Sequence, residues 1–179
     1  MIGLKHNQNL LVDYDPEWPS LFDAERDRLQ TVLLSIPRGI EHYGSTAVPG
    51  LRAKPIIDIL VGILPLDDWV RCKQPLESLS YDYSEHAGVP GHYIFGRGRD
   101  LSERTHLVHI VEFGGPSWQS NLAFRDALRT NQNLREEYVA AKQIASNLAP
   151  EGRAKYNELK QAFFDKVNIE DLAKQEKTG

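Results

Sequence analysis

The run Ile56-Ile-Asp-Ile-Leu-Val-Gly-Ile63 restricts the fold more than any other segment of this chain. It is rich in β-branched residues and almost continuously apolar, so it reads as a strand covered on both faces. Asp58 is its sole charged residue. A strand of this kind needs a layered sheet with helices packed on it. The remaining periodicities supply them.

Trp18, Phe22, Leu29, Val32 and Ile36 recur at helical steps, which predicts a helix over about 17–35 with Pro16 and Pro19 at or before its first turn. Pro37-Arg-Gly39 is expected to end it, and Ile40 begins a short strand leading into a Gly/Ser/Pro-rich loop. A weaker helical pattern covers Pro65 to Leu79, with Trp69 and Leu76 on it. Tyr81–Tyr83 and His92–Phe95 read as strands joined by the loop at Gly88-Val-Pro-Gly91, and Thr105 to Phe113 as another strand. Beyond Gly114-Gly-Pro116 the period becomes helical. Ser117 and Asn133 are candidate caps, the second with Glu136 three residues on. Leu134, Tyr138, Ala141, Ala145 and Leu148 form one stripe, and Tyr156, Leu159, Phe163 and Val167 another. The tail at 174–179 is expected to fray. The order predicts one α/β (α+β) domain, a mixed sheet core over about 12–115 and helices over about 117–170.

Composition narrows the function classes. The 179 residues are 41% hydrophobic and 26% charged, ordinary for a soluble globular chain. A single cysteine, Cys72, excludes an internal disulfide and any zinc site built on several thiolates. With 21 basic against 25 acidic side chains, the net charge of −4 argues against a surface that grips long nucleic acid. The chain shows no signal peptide and no apolar run long enough to span a bilayer, so the expected location is the cytoplasm.

The chemistry concentrates at Gly44-Ser45, which precedes Asp58 by twelve intervening residues. A Gly-Ser turn can bring backbone N–H groups and a hydroxyl to phosphate oxygens, since glycine has no Cβ to block approach. An aspartate on the adjoining strand can hold Mg2+ against the same phosphates. The alternative is a tight turn and one buried, hydrogen-bonded aspartate. His42, Arg52 and Lys54 flank the turn and can balance phosphate charge, or decorate a solvated loop. Arg97, Arg99 and Arg104 form a second basic group that either closes the same cleft or lies on a solvated hairpin. His86 and His92 bracket a loop at a spacing weak for metal binding.

The longer string Glu41-His-Tyr-Gly-Ser-Thr-Ala-Val-Pro-Gly-Leu-Arg-Ala-Lys-Pro-Ile-Ile-Asp58 closely resembles the signature of the GrpB family. Asp13-Tyr-Asp-Pro-Glu-Trp-Pro, Arg104-Thr-His106 through Glu112, Phe124-Arg-Asp-Ala-Leu-Arg129 and Tyr156 to Phe163 extend the resemblance over about 12–168. It implies a nucleotidyltransferase-like fold, and a similar domain occurs fused to dephospho-CoA kinase. In the wider superfamily the strand after the Gly-Ser turn carries two carboxylates. Here Leu60 stands where the second would be.

The resemblance therefore implies nucleotidyl transfer from an NTP with Mg2+. Gly44, Ser45, Thr46, Lys54, His42, Arg52 and Arg104 would hold phosphate, and Asp58, Glu112 and His109 would carry catalysis. Asp58, with Glu112 or His106, would ligate the metal. Strand alternation puts His106, Val108, Ile110 and Glu112 on one face and Leu107, His109 and Val111 on the other, so His109 and Glu112 share a cleft only across a bulge. Two rivals stand beside transfer. One is a degenerate site that binds a nucleotide, a coenzyme-A-like ligand or a protein without turnover. The other is metal-dependent phosphate hydrolysis. The expected partner is a small phosphorylated ligand or nucleotide. P-loop, dinucleotide and zinc-protease motifs are absent.

Overall fold

In the structure, a computed structural model that describes residues 2–85, 89–99 and 102–167, the apolar run is an interior strand. His86, Gly88 and the 174–179 tail lie outside the described residues. The elements follow in the order β1 (Leu4–Lys5), α1 (Trp18–Leu33), β2 (Pro37–Tyr43), β3 (Ile57–Ile63), α2 (Trp69–Ser78), β4 (Asp82–Tyr83), β5 (Tyr93–Arg97), β6 (Glu103–Arg104), β7 (His106–Glu112), α3 (Pro116–Thr130), α4 (Gln132–Leu148) and α5 (Arg153–Phe164). Short 3-10 turns occupy Ser45–Ala47 and Leu66–Asp68. The main sheet runs β2-β3-β7-β5-β4, and β1 pairs with β6 separately. β3 and β7 are parallel and central, while the other pairs are antiparallel.

Alternation along β3 divides the sheet into two unlike faces. Ile57, Ile59, Val61 and Ile63 enter a core with Trp18, Phe22, Leu29 and Leu33 of α1 and Cys72 and Leu76 of α2. Asp58, Leu60 and Gly62 point the other way. There, Leu60 packs with Tyr43 and Val111, and Trp118 and Leu122 of α3 lie over them. A smaller core joins Val48 and Leu51 of the loop to Leu128, Leu134, Tyr138 and Phe163 of the last three helices. The helical third is thus fastened to the loop that connects β2 and β3. Among the described residues no helix is long and apolar enough to cross a membrane.

Three local expectations need correction. Pro37 opens β2 instead of stopping the helix, because α1 already ends at Leu33 with Leu34 in a positive-φ conformation. The N-caps of the two later helices are Gly115 and Asn131, not Ser117 and Asn133, since Pro116 takes the first turn of α3 and the Asn131 side chain accepts from Leu134 N–H at 3.0 Å. Leu148, placed on the buried stripe, is 67% exposed at the C-terminal end of α4.

The seat of Trp118 is made by glycine. Gly39 and Gly62 are cross-strand partners, and a Cβ at either would stand 2.7 Å from the indole. Gly62→Val is therefore expected to lower unfolding free energy by about 1–3 kcal/mol through overpacking. Urea denaturation checks it: a variant as stable as the parent would mean that the indole does not fill that space.

Candidate functional site

α3 covers the far half of the second sheet face. The near half is left open as the floor of a cleft of about 950 Å³. Asp58 of β3, Leu107 and His109 of β7 and Ile94 of β5 lie on this floor. Its walls come from the Gly44-Ser45-Thr46 turn, from α3, α4 and α5, and from the segment around β1. Gly44 has φ +70, and a Cβ there would meet Asp58 Oδ2 at 2.7 Å, so the turn lies directly against the carboxylate. Glycine is required here by both conformation and space.

The cleft is cationic. It is lined by seven Lys or Arg side chains, and Asp58 is the single carboxylate on it among the described residues. Two of the arginines are already neutralised: Arg104 bonds Asp82 at 2.6 Å, and Arg125 bonds Glu41 and Asp126 at 2.8 Å each. The lysines are held differently. Lys142, 2% exposed, donates to Ser45 Oγ at 3.1 Å and to the Arg52 carbonyl at 2.5 Å, with its ammonium 4.7 Å from the Tyr138 ring. Lys54 donates to Asn9 Oδ1 at 2.5 Å and stands 3.6 Å from the Tyr156 ring centre. Lys160 reaches the rings of Tyr156 and Phe164 at 5.9 and 5.8 Å. None of these three lysines, nor Arg153, forms a salt bridge among the described residues.

Burial and crowding displace the proton equilibria. Loss of water around Lys54 and Lys142, reinforced by Lys160 and other nearby cations, lowers each ammonium to about 7. Desolvation raises Asp58 to about 6, although Lys160, Lys54, Arg153 and Lys142 pull it down. His109 is pushed to about 3, first by burial and then by His92. Its Nδ1 faces His92 Nδ1 at 3.3 Å, its ring packs edge-on with Tyr43, and its Nε2 is buried without a hydrogen-bond partner. Burial lowers His92 as well, and which of the two rings donates to the other depends on their tautomers.

The structure sorts the expected site residues into two groups. Gly44, Ser45, Thr46, Lys54, Asp58, Arg104 and His109 all line the cleft. His42, Arg52, His106 and Glu112 do not. His42 is stacked on Phe22 on the opposite side of the sheet, bonded to Thr46 Oγ1 at 3.0 Å and lowered to about 4 by burial. Arg52 turns outward to Asp13, Gln143 and the Leu11 carbonyl. The pairing of β3 and β7 explains the other two. It runs without a bulge from Ile57↔His106 to Ile63↔Glu112. His106 thus points into the Ile57 face, where it contacts Arg97 at 3.1 Å and Thr105 at 2.9 Å. Glu112 lies five residues along the strand from Leu107, the partner of Asp58, or about 17 Å at the rise of a parallel strand. Neither can share a metal ion with Asp58. Among the described residues no three His, Cys, Asp or Glu side chains are grouped to hold a metal.

Of the second basic group only Arg104 reaches the cleft. Arg97 pairs with buried Glu25 at 2.7 Å behind the sheet, and Arg99 reaches Glu103 and the Ile2 carbonyl. The residues that sequence reasoning missed are on the helices: Lys142 on α4, and Arg153, Tyr156 and Lys160 on α5. One signal was available. Lys142 falls four residues after Tyr138 and three before Ala145, inside an apolar stripe where an unpaired lysine is out of place.

Known proteins share both sequence and fold with this chain. The family model described as GrpB protein matches residues 9–170. The glutamate-rich protein GrpB of Alkalihalophilus pseudofirmus is 32% identical over 170 residues, covering 93% of this chain and 98% of that protein. The UPF0157 protein YqkA of Bacillus subtilis is 31% identical over 94% of this chain and 48% of its own length. A dephospho-CoA kinase of Mycobacterium tuberculosis is 30% identical over 86% of this chain and 44% of its own length. The chain thus spans about half of these last two proteins. Among solved structures, the conserved protein GrpB from Enterococcus faecalis superposes with a TM-score of 0.81 at 32% identity, covering 93% of this chain and 98% of that one. The Cid1 poly(U) polymerase in a MgGTP-bound form superposes with a TM-score of 0.54 at 12% identity, over 75% of this chain and 44% of its own, a likeness of nucleotidyltransferase fold.

The two depressed lysines make stability depend on pH in a definite direction. Between pH 7 and about 9.5 they are largely neutral in the folded chain and protonated in the unfolded one. The unfolded state then binds more protons, so stability rises with pH across this window. Thermal melting of the ligand-free protein should therefore move upward from pH 7 to 9.5, and the rise should flatten in the Lys54→Met, Lys142→Met double variant. A parent melting curve that falls across the window would contradict these proton equilibria.

Proposed function

The chain belongs to the GrpB family, and we propose that its cleft binds a phosphorylated nucleotide by the phosphate chain, as a binding module on a nucleotidyltransferase-like scaffold. The observation that carries this reading is the charge of the cleft: seven Lys or Arg side chains against one carboxylate. Lys54, Lys142, Arg153 and Lys160 lack carboxylate partners there, and a polyphosphate would supply them with charge-assisted hydrogen bonds. The volume of about 950 Å³ falls at the upper end of small-molecule sites, which suits a ligand larger than phosphate alone. Phe124 and Phe164 line the same space beside Lys160 and offer flat apolar faces to a base. The cations lie inside a cleft of a chain with net charge −4, an arrangement for a small ligand instead of a long nucleic acid.

The donor set bears on Mg2+. A clamp of two ions needs several oxygen ligands, and Asp58 is alone on the cleft among the described residues. A pair of resident ions does not fit. A single Mg2+ arriving on the phosphates does fit, since this ion accepts one carboxylate together with phosphate and water oxygens. Asp58 would hold it, and the contact between Gly44 and Asp58 favours this second reading by placing the turn and the carboxylate side by side.

Isothermal titration of the protein with ATP, ADP, AMP and tripolyphosphate, in metal-free buffer at pH 6.5, tests the main reading. Affinity is expected to rise with phosphate number, to be higher for ATP than for tripolyphosphate, and to fall toward pH 8.5 as Lys54 and Lys142 lose their protons. Lys142→Met should weaken ATP by about tenfold, the effect of losing one charge-assisted contact. Asp58→Asn, which removes the one repelling charge, should tighten it by about fivefold. Failure of all four compounds to bind, in this buffer and again with Mg2+ added, overturns the proposal. Loss of binding in Asp58→Asn, with a requirement for Mg2+ in the parent, transfers support to the metal-assisted reading.

A further inference from the structure

The segment before α1 makes a set of contacts that converge on one side chain. Asn9 is 1% exposed. Its Nδ2 donates to the carbonyls of Ala149 at 2.7 Å and Gly152 at 2.9 Å, in the turn between α4 and α5. Its Oδ1 accepts from Lys54 Nζ at 2.5 Å. Its backbone N–H donates to the Pro150 carbonyl at 2.9 Å, and its own carbonyl accepts from Ser146 Oγ. Next to it, Gly152 N–H donates to the Asn7 carbonyl at 2.8 Å, and Gln8 bridges to Glu151.

The same segment frames Lys54 from the other side. Gly3 N–H donates to the Pro55 carbonyl, and Val12 and Ala53 exchange hydrogen bonds, so both chain neighbours of Lys54 are tied to the arm. Lys54, Ile56 and Asp58 belong to the sheet side of the cleft. Arg153, Tyr156 and Lys160 belong to the helical wall. The Asn9 side chain touches Lys54 of the first and the turn that leads into the second.

We propose that Asn9 is a positioning residue: it joins the two walls of the cleft through the α4–α5 turn and presents the Lys54 ammonium to the ligand's phosphates. This rests on the phosphate-binding reading above and adds a residue outside the cleft's own charges. The chemistry requires an amide. The Ala149 and Gly152 carbonyls can only accept, and the Lys54 ammonium can only donate, so the partner must carry two donors and an acceptor on one short side chain. Leucine supplies neither. Aspartate supplies no donor at neutral pH and sets an anion against Lys54. Lys54 also faces Lys160 and Arg153 from α5 and Asp58 from β3, and it packs on the Tyr156 ring, so its proton affinity is the resultant of these groups and Asn9.

The test is titration of ATP into the parent, Asn9→Leu, Lys54→Met, the Asn9→Leu/Lys54→Met pair and Asn9→Asp from pH 6 to 9, with circular dichroism confirming the fold of each. Asn9→Leu should weaken ATP by about tenfold, and the pair should be no weaker than Lys54→Met alone, the signature of two residues acting through one contact. In Asn9→Asp the fall of affinity with pH should move to higher pH, because the new carboxylate keeps Lys54 charged. A role confined to holding the turn would not move that profile. In the parent protein, independent of any variant's folding, the Asn9 side-chain amide resonance should shift with the Lys54 titration and again on adding ATP. If ATP binds the parent but the cycle is additive and the pH profile is the same in Asn9→Asp, or if the amide resonance ignores both titrations, the proposal is overturned. If the parent binds no ATP, the phosphate-binding reading itself is what fails.

Discussion

Everything in this molecule turns on one carboxylate placed on an interior strand. Asp58 interrupts an apolar run whose alternate members fill the main core, so it must lie on the opposite face. An ionised carboxylate in an apolar layer is costly to bury without partners. The chain answers by leaving that half of the face uncovered and by surrounding it with ammonium and guanidinium groups. The floor, walls and charge of the cleft all follow from that placement. The glycine at 44 follows as well, since the turn approaches the carboxylate more closely than any side chain would allow.

Covering and opening the second face are two parts of one packing problem. Trp118 lies over the Gly39–Gly62 pair and brings α3 down onto the far half of the sheet. The last helices are fastened elsewhere, through Val48 and Leu51 of the loop and the aromatic group of Tyr138 and Phe163. Because α4 and α5 rest on that loop and on each other, they arch over the near half without filling it. The faces of Lys142 and of Arg153, Tyr156 and Lys160 are thereby turned toward Asp58.

What the sequence discloses is what depends on neighbours along the chain. Gly44, Ser45 and Asp58 are legible because a turn and the strand after it are local, and the alternation that separates His109 from Glu112 is also local. The register between β3 and β7 is not. It alone decides that His109 joins the Asp58 face at a nearby level, and that Glu112 ends about 17 Å away. The helical lysines were hidden for a similar reason. A lysine in an amphipathic stripe signals that something polar is buried, but only the packing of α4 on the loop shows that its partners are Ser45 and the Arg52 carbonyl. His42 misled in the opposite sense, since it adjoins the turn in sequence yet points through the sheet to Phe22.

The balance of charge in the cleft bears on why the site is built this way. Four cations facing one carboxylate repel each other, and burial removes the water that would screen them. Burial first, and the neighbouring cations second, lower Lys54 and Lys142 to about 7, while burial raises Asp58 to about 6 against the pull of the same cations. An arrangement tuned for stability alone would replace such lysines with apolar residues of similar size. Under the binding reading, an anion in the cleft would raise the proton affinity of both lysines and give the cations a common partner. The hydrogen bonds of Lys54 to Asn9 and of Lys142 to Ser45 hold both ammonium groups on the cleft, where such an anion would meet them.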